Sequence, residues 1–437
     1  MRKLNKSKSM HESASKVLPL GVTSNYRYWG ADHTLYVKRG KGAHIWDVDD
    51  NKYIDFRLSY GPIILGYADE RVDQAVINGI KDGVQFALSL PLEEKVASQI
   101  ISMCPGIEMI RFSTSGCEAT MHSLRLARAY TGREKFIMFE GAWHGLHDNV
   151  MFNTDIMSSR QNPTKIASSL GIPDTLKSLV TLLPFNDPEI LESIVKKIGH
   201  EVAAIIVEPI LGNCGGIMPL PQWLHFIRKI CDNYGIVFIM DEVKTGFRIA
   251  KGGAQEYFGV KADIVCYAKS IANGYALAAF GGKKKIMELI GDGVMHGGTY
   301  NANKVGLLAA NATLDILDTT NVLEKLYSTG KKLEAAFSGV LSRSGLEFVF
   351  SGHPSMFMFW FTEKAPTEMR DWKSSDHELY NKVAADMIER GILIEPSSRE
   401  PWFLCASHTD EDIAIAAQHL EDSLKVLINK KTEYKAD

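Results

Sequence analysis

GIVFIMDEV at residues 235–243 and ADIVCYAK at residues 262–269 are short, almost unbroken apolar runs, and each ends on ionisable side chains. The first closes on Asp241 and Glu242, the second on Lys269. Runs of this length without polar alternation suit strands buried on both faces, as in a parallel sheet covered by helices. Two more of the same kind lie upstream, KFIMFEG (135–141) and VAAIIVEPI (202–210). Amphipathic helical stretches at Glu118–Arg128 and Gln222–Tyr234 alternate with them. The alternation predicts an α/β domain of roughly 250 residues or more.

Outside this region the pattern changes. TLYVKRG (34–40) and HIWDVDD (44–50) are β-like and split by glycine-containing turns. Beyond about Asn303 the chain becomes helix-rich, with strand-like pieces at Phe348–Phe350 and Ser355–Phe361, a helical C-terminus and a charged tail, KKTEYKAD. The expected organisation is a large domain over residues 61–305. Residues 1–60 and 306–437 form a smaller α+β domain around it. The formal net charge of -3 gives no strongly basic face, so neither a nucleic-acid nor a membrane partner is expected. No stretch approaches the ~20 apolar residues of a membrane span. The mildly basic MRKLNKSKSM is not followed by an apolar signal segment. The six cysteines are scattered without a C-x-x-C pair, which points to reduced thiols and a cytoplasmic protein.

Ligands of open α/β sheets gather at the carboxyl ends of the strands, so the residues there are the candidates. Ser115, Gly116 and Cys117 open a helix whose N–H groups and dipole suit an anion; a simple helix cap at Ser115 is the alternative. Asp241 and Glu242 suit a metal, a base or the partner of a protonated ring nitrogen, unless they form an exposed acidic turn. Lys269, at the end of a buried strand, is placed to be desolvated and nucleophilic; a solvated lysine is the commoner case. Trp143 in GAWHG suits stacking on a flat ring or packing in the core. His144 and His147 lack a further ligand at zinc spacing. Asp47–Asn51 lacks the glycine and the bidentate glutamate of a calcium loop, because Lys52 and Leu58 stand there. It reads as a polar hairpin turn. Taken together, an anion cradle, an aromatic, a carboxylate and a lysine, each after an expected strand, form the set that pyridoxal phosphate requires.

The chain resembles the class III aminotransferases, which are dimeric fold-type I pyridoxal-phosphate enzymes, and among them most of all the glutamate-1-semialdehyde 2,1-aminomutases. The motifs that carry this are SGCEATMHSLRLARAYTGR (115–133), FEGAWHG (139–145), VEPILGN (207–213), DEVKTGFR (241–248), AKSIANGY (268–275), GGTYNANKVGLLAA (297–310) and, at the ends, GVTSNYR (21–27) and EPSSREPWFLCASHT (395–409). The resemblance implies a mainly parallel central sheet flanked by helices. It implies that Ser115, Gly116 and Cys117 hold the phosphate, Trp143 stacks on the pyridine ring and Val243 packs beneath it. Asp241 would pair with the ring nitrogen, Asn213 would sit near the phenolic oxygen, and Lys269 would hold the cofactor as a Schiff base. Thr299 would reach the cofactor of a partner subunit, hence a homodimer. Arg27 would grip a substrate carboxylate and Glu400 would lie near a substrate amine. The cofactor would alternate between its pyridoxal and pyridoxamine forms.

Several positions depart from the family pattern. Cys117 stands where threonine is usual, Trp143 replaces the commoner tyrosine, and AKSIANGY lacks the run of glycines. Tyr60 replaces a tryptophan near the substrate. Residues 153–173, NTDIMSSRQNPTKIASSLGIP, lack the Gly-Ser-Gly of the gating loop that retains a diamine in the aminomutase. That last departure favours an aminotransferase passing an amino group between a carboxylate-bearing amino compound and a keto acid or aldehyde. The aminomutase, which moves the group within glutamate 1-semialdehyde, is the alternative. An epimerase or decarboxylase on the same scaffold is a further one. A non-catalytic cofactor-bound regulator is disfavoured by the lack of a spare DNA-binding domain.

Overall fold

The computed structural model describes residues 2–433; the last four residues of the charged tail lie outside it. In chain order the strands are β1 Val37–Lys41, β2 His44–Asp47, β3 Lys52–Asp55, β4 Met109–Ser113, β5 Lys135–Phe139, β6 Phe152–Thr154, β7 Lys165–Ala167, β8 Val180–Leu183, β9 Val202–Val207, β10 Val237–Asp241, β11 Ile264–Tyr267, β12 Ala278–Gly282, β13 Val349–His353, β14 Met356–Trp360, β15 Ile392–Leu393 and β16 Trp402–Phe403. Seven of them make the central sheet, in the order β4-β12-β11-β10-β9-β5-β8. β8, β5, β9, β10 and β11 run parallel, and β12 runs antiparallel between β11 and β4. The four apolar runs of the sequence are β5, β9, β10 and β11. Every residue of β9 and β10 is buried, the burial expected of strands covered on both faces.

Three further strands of this sheet have weaker sequence signals. β12 contains Gly281 and Gly282, which lower strand propensity but are required by packing. A Cβ at Gly282 would lie 2.0 Å from the carbonyl oxygen of Asp263. β4 and β8 are edge strands and mix exposed or half-buried positions with buried ones.

The helix Gly116–Thr131 packs over β9–β12. Ser115 caps it by accepting from the Glu118 N–H, and the Glu118 carboxylate accepts from the N–H groups of Thr114 and Ser115. It stops at Gly132, whose φ of 68° is the left-handed end signal. A separate four-stranded sheet, β1-β2-β3-β15, pairs N-terminal strands with the C-terminal β15, and β13-β14-β16 form a third sheet. The Asp47–Asn51 turn joins β2 to β3 as a polar hairpin, with the Asp47 carboxylate accepting from the Asn51 N–H and the Tyr53 hydroxyl.

Residues 153–173 fold largely into a β6–β7 hairpin and its return, and ion pairs fasten this segment. Arg160 bridges Asp187 (2.5 Å) and Glu368 (3.0 Å). Arg370 makes a two-pronged pair with the fully buried Glu140, at 2.7 and 2.8 Å, and donates to the Ser158 carbonyl. Glu368 and Arg370 belong to the segment 362–376, which these contacts tie to the hairpin. It is a clasp over the hairpin. Among the described residues no helix is long and apolar enough to cross a membrane.

Candidate active site

The carboxyl ends of β9, β10 and β11 and the start of the helix Gly116–Thr131 converge. Asp241, the last residue of β10, is buried and fixed on both oxygens. The His144 Nδ1 lies 2.7 Å from one, and the Val243 N–H donates to the other at 3.0 Å. Glu208, just past β9, accepts from the N–H groups of Trp143 (2.7 Å) and Gly212 (3.2 Å), and burial pushes its carboxyl up. Glu242 points elsewhere: it accepts from the N–H groups of Ala254 and Gln255 and from the Thr245 hydroxyl, so it anchors a helix start.

Lys269 follows β11 with φ at 50°, a left-handed conformation that a non-glycine residue adopts at a cost. Burial first, and then the charge of Lys244, push its amine down to about 7; Glu400, Glu208 and Asp241 act in the opposite sense. An amine so shifted is substantially unprotonated near neutral pH and able to attack a carbonyl.

The first N–H groups of the helix Gly116–Thr131, at Gly116 and Cys117, have no acceptor within the helix. Gly116 leaves room that a side chain would fill, since a Cβ there would stand 2.9 Å from a Val243 methyl. Val243 and Ala268 thus close up against the helix start. The Cys117 thiol accepts from the Leu146 N–H at 3.2 Å, so it is turned toward the 145–146 loop. A backbone anion cradle, a fixed carboxylate and a depressed amine together fit a phosphorylated pyridinium aldehyde.

Beside them lies a cavity of about 300 Å³ lined by Trp143, Asn213, Tyr26, Tyr60, Glu395, Arg399, Glu400 and Met369, among others. Tyr26 sets its edge on the Trp143 ring at 5.7 Å and 89°. Asn213 and Glu400 are joined by Lys244, whose ammonium donates to the first at 2.5 Å and the second at 3.0 Å. Two expected residues stand apart. Arg27 is exposed and donates to Thr23, while its neighbour Tyr26 lines the cavity. Thr299 is exposed in a separate groove of about 790 Å³, which also contains Val84, Phe86 and Leu88.

Sequence reasoning missed His144, Glu208, Lys244 and Arg399. The sequence offers His144 only as a metal ligand; its place in the GAWHG loop that follows β5, beside Trp143, is the available signal. Among the described residues no group of three or more His, Cys, Asp or Glu is arranged to hold a metal ion.

A lysine and a carboxylate at neighbouring strand ends, with a helix start packed between them, accompany the fold of a fold-type I pyridoxal-phosphate transferase. The chain belongs to the class III aminotransferases: the family model described as aminotransferase class-III matches residues 27–424. A protein of Thermodesulfovibrio yellowstonii named glutamate-1-semialdehyde 2,1-aminomutase is 37% identical, over 95% of this chain and 98% of its own length. The crystal structure of an omega-transaminase from Sphaerobacter thermophilus matches with a TM-score of 0.90 at 30% identity, covering 95% of this chain and 96% of that one. A transaminase solved with PLP bound matches with a TM-score of 0.90 at 27% identity, covering 98% and 99%. Class III aminotransferases are pyridoxal-phosphate enzymes, and this chain is one of them.

Proposed function

We propose that this enzyme is a glutamate-1-semialdehyde 2,1-aminomutase, moving an amino group within one substrate to give 5-aminolevulinate. The near full-length relationship to the Thermodesulfovibrio protein favours it over the intermolecular transfer expected from the glycine-poor 153–173 segment. The single structural observation that supports it is the clasped wall: Arg160 and Arg370 hold the β6–β7 hairpin beside a cavity of only about 300 Å³. A wall so fastened suits the retention of a half-converted substrate.

When bound, pyridoxal phosphate supplies the electron sink for bonds at the amine-bearing carbon. In this reading the N–H groups of Gly116 and Cys117, with Ser115, take the phosphate. Trp143 and Val243 enclose the ring, Asn213 serves its phenolic oxygen, and Asp241 keeps its nitrogen protonated. Lys269 attaches the cofactor and, once displaced, its Nζ carries the proton at the reacting carbon. Arg27, next to Tyr26 at the cavity, is assigned the substrate carboxylate, and Glu400 the substrate amine. Thr299 serves the cofactor of a second copy. The exposed Leu88 (83%), Tyr300 (64%) and Phe86 (45%) around its groove support a homodimer surface there. A cytoplasmic location and the division near residues 60 and 305 belong to the same proposal. The six free cysteines and the β3–β15 pairing support them.

Intermolecular transamination is the second reading, favoured by the likeness to the two transaminase structures. The test supplies the loaded enzyme with glutamate 1-semialdehyde and no other amine or keto acid, and counts 5-aminolevulinate per site. Many turnovers are expected. One turnover or none, with a cofactor spectrum that responds to ordinary amino donors, overturns the aminomutase reading in favour of the second.

A further inference from the structure

Lys244 is a second lysine in the site, and the roles above leave it unused. It sits in the turn after β10, three residues beyond Asp241, and its side chain is only 7% exposed. Its stem runs across Gly212, where an added Cβ would meet Cδ at 2.3 Å, so this glycine admits the lysine. The ammonium reaches Asn213 and Glu400, both of which line the cavity, at 2.5 and 3.0 Å. These acceptors are 31 residues before it and 156 after it in the chain. Burying an ammonium is costly even when it is paired, and an apolar side chain of similar length would fill the space at less cost. A buried, paired charge whose two acceptors line a cavity is a candidate for function rather than stability.

We propose that Lys244 is a positioning residue of this site: its ammonium joins Asn213 to Glu400 and is the fixed positive charge beside which Lys269 works. The inference rests on the assignment of Lys269 as the cofactor lysine. Four charged groups bear on the Lys269 amine: Lys244 from the turn after β10, Asp241 from the end of β10, Glu208 from beyond β9 and Glu400 from the C-terminal segment. Burial opposes protonation most and Lys244 adds to it, while the three carboxylates favour it. The Lys244–Glu400 pair therefore acts as a balance. Removing its positive arm raises the affinity of Lys269 for a proton, and neutralising its negative arm lowers it. The pair also fixes where Glu400 presents its carboxylate, since one of its oxygens is already bound to Lys244.

The two arms give a test with opposite signs. The full-length chain, freed of cofactor, is treated with trace acetic anhydride across pH 5–10, and acetylation at Lys269 is quantified by mass spectrometry. The wild-type midpoint is expected at about 7. Lys244→Met should move it up by about one pH unit, the scale of removing a neighbouring like charge. Glu400→Gln should move it down, and Lys244→Arg should leave it near the wild-type value. An unchanged midpoint in Lys244→Met, or shifts of the same sign in Lys244→Met and Glu400→Gln, overturns the proposal. Where Lys244→Met does not fold, Glu400→Gln decides alone: a lowered midpoint supports the balance, and an unchanged or raised one overturns it. Borohydride reduction of the loaded enzyme, followed by peptide mapping, tests separately whether Lys269 carries the cofactor. Failure of that assignment is thereby distinguished from failure of the role given to Lys244.

Discussion

Asp241 and Lys269 stand at the ends of strands whose every residue is buried, whereas Arg399, which lines the cavity, and Arg160 and Arg370, which fasten the hairpin, are carried by the hairpin and short turns. The floor takes its geometry from apolar burial in the central sheet. β9, β10 and β11 stay together whatever their last side chains do, because their stability comes from the apolar residues along their length. The wall also sets Phe152 and Met369 into the core, but its outer part is tied down by a few long-range charge pairs. A substitution on the floor should therefore remove chemistry and spare folding, while a substitution in the wall should do the reverse.

The largest effect that tests this contrast belongs to Lys269→Ala. Turnover should fall by at least about 10³-fold, the scale of losing a nucleophile that is also the proton carrier. The visible absorbance of the loaded enzyme should vanish, and the denaturation midpoint should stay near the wild-type value. A large drop in that midpoint would break the division between floor and wall. Asp241→Asn comes next. Loss of its charge beside the ring should lower kcat about 10²–10³-fold, as for one preorganised electrostatic partner, again with folding intact.

In the wall, Arg370→Ala leaves the fully buried Glu140 carboxylate without its two-pronged partner. A loss of about 3 kcal/mol in urea denaturation is expected, and the double variant Arg370→Met/Glu140→Gln should recover part of it. The smallest effect is that of Arg160→Ala, whose side chain is 40% exposed. Solvent screening should keep its cost within about 1 kcal/mol, read in the same denaturation. A greater loss would show that the hairpin melts together with the sheet and would erase the contrast.

The same division explains what could be read from the sequence. β5, β9, β10 and β11 were legible because a strand buried on both faces needs an unbroken apolar run, and few other structures do. Asp241 and Lys269 were legible as polar residues at the ends of such runs. β12 was hidden by Gly281 and Gly282, whose reason is a neighbouring carbonyl and not their own propensity. Lys244, Arg370 and Glu368 were hidden because each is defined by a partner far away in the chain. Local pattern holds no trace of such partners. The segment 153–173 was half legible on the same ground: missing glycines report on the segment itself, while its fastening lies some two hundred residues further on, in Glu368 and Arg370.

The parallel pairing of β3 with β15 sets a timetable for the nascent chain. Ile54 lines up with Ile392 and Asp55 with Leu393, so the outer edge of β3 is made long before the strand that covers it. At ribosomal rates of about 5–20 residues per second, that edge waits on the order of half a minute for its partner. During this interval β1, β2 and β3 are a three-stranded remnant with an open flank, the kind of edge that recruits foreign strands. The flank closes only when β15 emerges, and slower elongation through the central domain would lengthen its exposure.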